Sequence, residues 1–521
     1  MNFMVGNTVQ HVPLPVPQPG EILLRVVRAE LLELPVGANE TRFSFRHPIA
    51  KLFFFLLREG PLLTVAKVRA SRLHRRIQSL RTVVIALCDD GEGGRCLAVG
   101  PQDYPHAGWM VFNAHFVACL PAPEDYARYV GYLRDYFRRD TDMLGQLFAY
   151  SALSGNDPPL RITLVLPDLK PCSVPTAPDT EKECEPSPQP NGESGHDLFL
   201  AGAGAYAYAY ILPNLKGAKR HTLIDINPVL AAVMGERFGF AHRECSTSAA
   251  FSRLAKCKEP LLVIATYHST HMAIAEEALT RNPRTKIFME KPPVTDRTQL
   301  CRLLEMRSTG AFIEIGYNRR HAPMAVEASR LVRAKGKEPV VMTCIVKELA
   351  LPKSHWYYWP SQGTRVTGNL CHWIDLGTAI IDASPAELTV ISATGAMPGD
   401  ELTVVVIYDD GSRLTLVATD QGNPLRGVQE QIDIRRGDLT VTIDDFVVMR
   451  VMEKGNISVK HSLIRDKGHA RMYRDFLRRA RSGTAPSYPD HDLLISTQIY
   501  LAVVEAARNG GGTVSLPLVS R

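Results

Sequence analysis

The chain has 521 residues, of which 45% are hydrophobic and 22% charged, with a formal net charge of +6. Such a composition is that of an ordinary soluble protein of two or three domains with ample chain for sizeable cores. The charges are interspersed apart from a basic cluster, KVRASRLHRRIQSLR (67–81), which reads either as the solvated face of a helix or as a surface for anionic sugar phosphates or lipid headgroups. No base-reading module for nucleic acid is visible. The ten cysteines include no C-x-x-C pair, which argues against a disulfide framework and a zinc ribbon. MNFMVGNTVQHVPLP lacks the charged start and apolar core of a signal peptide, and KLFFFLL (51–57) falls far short of the ~20 apolar residues that span a bilayer. A cytoplasmic location is expected.

In chain order, the first 170 residues form an N-terminal region. Segment 171–195, PCSVPTAPDTEKECEPSPQPNGESG, follows, almost empty of large apolar side chains. It cannot bury enough surface to offset its ordering entropy and is expected to be a disordered linker. HDLFLAGAGAYAYAYILPNLKGAKRHTLID (196–225) then reads as strand, Gly-rich turn, helix and second strand ending in an acid. This is the pattern of a dinucleotide-binding unit. Gly202 serves the tight turn, Gly204 lets the backbone approach a pyrophosphate, and Ala207 is small where helix packs on strand. Ala205 and Tyr206 open the helix whose N-terminus holds the phosphates. Asp225 stands 21 positions after Gly204, where its carboxylate accepts hydrogen bonds from the adenosine ribose and repels a 2′-phosphate. NAD is expected, with NADP second.

The alternation continues with a helix (228–238), strand 261–266, helix 271–281, strand 286–290, a further helix and strand AFIEIGY. A parallel sheet covered on both faces is expected. After a helix at 323–334 the sequence turns strand-rich, with period-2 alternation and DDG and RGD turns. That pattern suggests a mostly antiparallel sheet with one exposed face. Helices at 468–482 and 490–508 close the chain.

Three clusters fall where ligands meet an open α/β sheet, at the carboxyl ends of its strands. The first is Glu290, Lys291 and Pro292, with Thr266 and His271 on the neighbouring connection. The second is GYNRRHAP (316–323), containing Asn318 and Arg319, and the third is TGNLCHWIDLG (367–377), in which His372 and Asp375 share a helical face. His268 and His271 resemble a zinc spacing, but no third ligand is evident and no metal is expected. Cys371 beside His372 is read as a buried thiol rather than a nucleophile.

Gly202 to Ala207, Glu290 to Pro292, Gly316 to Pro323 and the His372/Asp375 segment together resemble the Gfo/Idh/MocA oxidoreductase family, over roughly residues 197–518. The resemblance implies an α/β Rossmann domain (196–318) followed by an α+β open-faced, mostly antiparallel sheet domain (319–521) for substrate and oligomerisation. It implies hydride transfer between NAD and a carbinol carbon of a sugar or nucleotide-sugar-like substrate, in polysaccharide or secondary-metabolite biosynthesis. Lys291 and His372 are then the catalytic pair, and Asn318, Arg319, Trp356, Arg365 and Asn369 line the substrate; Asp375 joins them there or, as the preferred reading, orients the helix or His372. His271 matches a family position near the nicotinamide ribose. One departure stands out: many members carry Asp four residues before the His, and here that residue is Gly368. Alternative readings are an imine reductase or internal-redox enzyme on the same fold, or a non-catalytic NAD-binding regulatory or scaffold protein. The expected partners are a small sugar or anionic substrate and further copies of the chain, with no nucleic acid and no membrane span.

The N-terminal region is similar to the opening of medium-chain alcohol dehydrogenases at 12–41. At 56–73 it resembles bacterial two-part oxidoreductases that join such a module to a Gfo/Idh/MocA body. Zinc-ligand patterns and a second Gly-x-Gly-x-x-Gly are absent. A reduced, non-catalytic, β-rich module over 1–170 is expected, covering the active-site mouth, docking a partner or supporting oligomerisation.

Overall fold

The structure, a computed structural model, describes residues 2–5, 8–11, 21–35, 56, 59–70, 80–89, 95–101, 109–113, 117–120, 122–139, 170–171, 196–225, 228–244, 247–351, 357, 362–393, 399–421 and 427–518. The expected linker 171–195 lies outside them except for Pro171.

In the N-terminal region β1 (Asn2–Val5) and β2 (Thr8–His11) form an antiparallel pair. β3 (Glu21–Pro35), β4 (Leu80–Asp89), β5 (Arg95–Pro101), β6 (Trp109–Asn113), β7 (Val117–Cys119) and β8 (Lys170–Pro171) build one antiparallel sheet in the order β6-β3-β4-β5-β7-β8. Its core holds Leu24, Val84, Ala86, Cys88, Cys96, Ala98, Phe112 and Val117. A β-rich N-terminal region is therefore present. Helix α1 covers residues 59–70, between β3 and β4, and α2 spans Tyr126–Arg139, pinned to the sheet by the Tyr126 hydroxyl donating to the Ile85 carbonyl at 2.9 Å. α1 belongs to the same compact unit as the C-terminal body. Its buried Glu59 accepts from Arg465, which also holds Asp445 at 2.9 Å.

The α/β half runs β9 (Asp197–Ala201), a short helix α3 wound as a π turn over Ala207–Ile211, β10 (Lys219–Ile224), α4 (Pro228–Arg237), β11 (His242–Glu244), α5 (Thr247–Leu254), β12 (Leu261–Ile264), α6 (His271–Arg281), β13 (Lys286–Glu290), α7 (Arg297–Ser308) and β14 (Ile313–Gly316). The six strands follow the order β11-β10-β9-β12-β13-β14. Their apolar runs reflect burial on both faces: β12 and β14 are buried at every residue. Register carries the functional consequence. Ala201 pairs with Ile264, Ile264 with Met289, and Glu290 with Gly316. The residues after these strands therefore emerge side by side at one edge.

α8 (Pro323–Arg333) leads into β15 (Val341–Lys347). α9 (Cys371–Ile380) then precedes β16 (Pro385–Ser392), β17 (Leu402–Tyr408), β18 (Arg413–Thr419), β19 (Gln429–Arg436), β20 (Leu439–Asp444), β21 (Val448–Glu453) and β22 (Asn456–His461). α10 (His469–Ser482), α11 (Asp490–Arg508) and β23 (Gly511–Ser515) end the described chain. The nine strands order as β22-β21-β20-β19-β15-β18-β17-β16-β23, and every pair is antiparallel except β15 with β18. Alternate residues of β17 and β18 are buried, as a sheet with one covered face requires. The other face exposes Ile345, Ile391 and Ile407.

A buried carboxylate joins this sheet to the α/β half. Glu430, on β19, accepts from Arg319 Nε at 2.7 Å, from Trp373 Nε1 at 2.7 Å and from Lys467. Burial alone would raise its pKa, but Arg319 and Lys467 outweigh that, and the carboxyl is lowered from 4.5 to about 2. Removing one member of such a group strands the others without a counter-charge, at a cost of about 3–5 kcal/mol. Glu430→Gln is expected to unfold at markedly lower urea concentration than the parent at pH 7. Because the folded pKa is depressed, the carboxylate's contribution is present above pH 4.5 and lost as pH falls through about 2. The gap between parent and variant in urea titrations should therefore narrow below pH 4.

Candidate active site

The turn after β9 is built by two glycines with different reasons. Gly202 has φ +96°, and a Cβ there would stand 2.2 Å from the Ala265 carbonyl oxygen at the end of the neighbouring strand. No side chain fits. At Gly204 a Cβ would meet nothing within 4 Å, so the space above the turn is open. Ala207 is buried against the sheet, while Ala205 is exposed at the helix start. α3 is wound wider than an α-helix, with Leu212 N–H donating to the Ala207 carbonyl five residues back at 2.9 Å. The first amides of a helix lack intrahelical partners, which is the arrangement that receives anions, and Gly204 immediately precedes this helix. Tyr206 stacks on Tyr210 at 5.0 Å between centroids and receives the Tyr473 hydroxyl at 3.5 Å. Asp225 follows β10, half-buried, with its amide donating to the Glu244 carbonyl at 3.1 Å.

After β12, the Thr266 and Thr270 hydroxyls pair at 2.8 Å. His271 is buried with Nδ1 at 2.9 Å from the Pro292 carbonyl and Nε2 at 3.2 Å from the Thr266 carbonyl. Burial lowers its pKa to about 4 against the pull of those carbonyls. The ring is therefore a neutral strut between two connections, and both nitrogens face the backbone. His268 Nδ1 lies 3.2 Å from the Gln362 carbonyl. Among the described residues no group of three His, Cys, Asp or Glu is placed to hold a metal.

Glu290 ends β13, buried, and accepts from the Tyr473 hydroxyl; burial raises its pKa to about 7, with Tyr473 and Lys291 pulling it down. The Lys291–Pro292 peptide is cis. Lys291 follows the end of β13 and donates through Nζ to the Gly368 carbonyl. Gly368 lies in a π turn, Val366–Leu370, that opens α9. One turn on, His372 is buried beside the Tyr317 ring, 6.0 Å between centroids, and its Nδ1 has no hydrogen-bond partner among the described residues. Burial, then Arg319 and Lys291, hold its pKa well below 6.5. A neutral imidazole with an open nitrogen thus stands beside an ammonium. Asn318 lies just after β14: its Nδ2 donates to the Lys467 carbonyl at 2.7 Å, and its Oδ1 is buried with no partner among the described residues.

Other residues expected to line a substrate are engaged elsewhere. The Arg319 fork is closed on Glu430 and its guanidinium lies 4.0 Å over the Trp373 ring. Arg365 is buried on Asp400 at 2.6 Å and the Leu349 carbonyl at 2.8 Å. Asp375 accepts from Arg320 Nε at 3.1 Å and from the Tyr488 hydroxyl, so it anchors α9. Asn369 donates to Glu348 at 3.0 Å. Trp356 lies outside the described residues. Cys371 donates to the Thr367 carbonyl at 3.0 Å, and burial pushes its thiol to about 11. Glu430, Lys467, His469 and Tyr473 escaped the sequence reading. The only signal for the last two was their i, i+4 spacing on one face of α10.

No family model matches the chain, and no curated protein matches it. Solved structures of like fold include GenD2 from gentamicin A biosynthesis in complex with NAD, at 16% identity and TM-score 0.51, covering 64% of this chain and 100% of that one. An aldose-aldose oxidoreductase from Caulobacter crescentus matches at 17% identity and TM-score 0.53, covering 62% of this chain and 100% of that one. Levoglucosan dehydrogenase in complex with NADH matches at 16% identity and TM-score 0.52, covering 63% of this chain and 100% of that one. The shared fold is a helix-covered, parallel six-stranded α/β half followed by a mostly antiparallel open-faced sheet.

The two glycines should separate experimentally. Gly202→Ala is expected to lower the thermal midpoint by several degrees or prevent folding, whereas Gly204→Ala should leave it close to that of the parent in calorimetry.

Proposed function

We propose that the chain is an NAD-dependent oxidoreductase that moves hydride between nicotinamide and a carbinol carbon of a sugar or sugar-like substrate. The observation that carries this reading is a pair of side chains: the Lys291 ammonium on the Gly368 carbonyl and, one turn along, the buried His372 imidazole, whose Nδ1 has no hydrogen-bond partner among the described residues. The residues present fit the dinucleotide. The space over Gly204 is open, the helix follows Gly204 directly, and Gly202 admits no side chain to block it. Sequence spacing assigns the Asp225 carboxylate to the adenosine ribose, which favours NAD over NADP. Proteins of like fold described as complexes with NAD or NADH, and as acting on aldoses or levoglucosan, support the cofactor and the sugar class.

Bound NAD would supply the hydride acceptor for oxidation, and NADH the donor for the reverse. The chain's own residues handle the proton and the charge. His372, neutral because it is buried among cations, accepts the hydroxyl proton as the C–H hydride leaves. Lys291 places its ammonium where negative charge grows on that oxygen, in a site sheltered from water. The Asn318 Oδ1 is free to accept from a second substrate hydroxyl. His271 holds the Lys291–Pro292 turn in place through the Pro292 carbonyl.

Titration of the purified chain with NADH and NADPH, followed by nicotinamide fluorescence, tests the cofactor site. NADH is expected to bind more tightly, Gly204→Val to abolish binding, and Asp225→Ser to narrow the preference. For catalysis, Lys291→Ala should reduce turnover by roughly 10²–10⁴-fold while NADH affinity stays near that of the parent. Unchanged turnover in Lys291→Ala would remove Lys291 from the mechanism.

A further inference from the structure

Position 368 has no side chain, and its backbone does not explain why. Gly368 sits in the helical turn that opens α9, outside the left-handed region that favours glycine. The explanation is a ring. A Cβ on Gly368 would stand 2.4 Å from Tyr357 Cε2, 2.6 Å from Cζ and 2.7 Å from Cδ2. Real Cβ atoms do not approach so closely, so Tyr357 occupies the volume that any side chain at 368 would need.

The same phenol reaches the polar centre of the site. The Gly368 carbonyl that accepts from Lys291 Nζ also lies 3.4 Å from the Tyr357 hydroxyl. That hydroxyl is 3.4 Å from Asn369 Oδ1, and Asn369 Nδ2 donates to the buried Glu348 at 3.0 Å. On its other side the ring packs against His268, 5.4 Å between centroids. His268 is itself held by the Gln362 carbonyl. Burial raises the phenol above its ordinary pKa, so it remains a donor. At 3.4 Å each polar contact is long, and the ring's bulk, more than either hydrogen bond, sets the geometry.

We propose that Tyr357 is a positioning residue for Lys291: its ring fills the space left by Gly368, and its hydroxyl helps fix the carbonyl that aims the ammonium. Tyr357 takes no part in bond making. Its consequence for turnover rests on the role assigned to Lys291 above, but the positioning itself can be measured without turnover.

The first arm is steric, on the full chain. Gly368→Ala should lower the thermal midpoint clearly in the parent and much less in a Tyr357→Ala background, where the ring is gone. Equal losses in both backgrounds would overturn the complementarity. The second arm follows acetylation of Lys291 by limiting acetic anhydride, read by peptide mass spectrometry with exposed Lys460 as internal reference. Labelling should be several-fold faster in Tyr357→Ala than in the parent and intermediate in Tyr357→Phe, which keeps the ring. A rate in Tyr357→Ala equal to that of the parent would overturn the positioning role. The third arm titrates NADH into the parent and Tyr357→Ala. Equal affinity with reduced kcat in Tyr357→Ala supports the proposal and its consequence. Failure of the parent to bind NADH would sink the oxidoreductase reading, while the first two arms would still decide the place of Tyr357.

Discussion

The buried Glu430 carboxylate is the constraint on which the site depends. It draws together Arg319 from the connection after β14, Trp373 from α9, and Lys467 from the residues before α10. Two of the partners adjoin residues of the candidate site: Arg319 is next to Asn318 and Trp373 next to His372. Desolvating a carboxylate is costly unless cations and hydrogen bonds surround it, and here two cations and an indole N–H do so. The ion group therefore stabilises the union of sheet and helices less by its net energy than by permitting few other arrangements. It also leaves an excess of positive charge around His372, which together with burial keeps that imidazole neutral.

A second constraint comes from strand register. Because β9, β12, β13 and β14 align residue by residue, the Gly-rich turn, the Thr266 connection, the Lys291 turn and Asn318 all leave the sheet at one edge. Gly202 records how tightly they crowd: the Ala265 carbonyl occupies the place of its Cβ. His271 braces the crowding from the α6 side through two carbonyls, and Glu290 does so through Tyr473 on α10. α3 and α9 are both associated with π turns, at Ala207–Ile211 and Val366–Leu370, which are wound wider than an α-helix. Such turns recur where a helix must present backbone groups to a ligand.

Much of the fold was legible in the residues. Strand 286–290 and helix 271–281 were read at their observed limits, because KIFME is a short apolar run, Ile287–Met289, bounded by charged residues, and the helix is amphipathic and ends just before an Asn-Pro pair. The nine-stranded sheet was legible in its alternation, although the parallel β15–β18 pairing was not, since alternation carries no strand direction. The candidate site residues divide along a physical line. Gly202, Gly204, Lys291 and His372 stand out through local sequence at strand ends and helix starts. Arg319 and Arg365 read as ligand contacts because charged residues near a site are indistinguishable, in one dimension, from charged residues that hold it together, while Asp375, read chiefly as orienting its helix or His372, is held by Arg320. Their partners, Glu430, Asp400 and Arg320, lie 111, 35 and 55 residues away.

By itself the sequence determined the alternation of strands and helices, the Gly-rich turn, and the order of the motifs that meet at the sheet edge. Each of these depends on neighbours within a few residues, through side-chain periodicity and backbone freedom. Only the tertiary structure decided which charges face a ligand and which neutralise one another, because that follows from distances between residues far apart in the chain. It alone explained the glycine at 368, whose missing side chain is accounted for by the ring of Tyr357, eleven residues earlier. Two atoms cannot share one volume, and which atoms contend for it is settled only when the chain has folded.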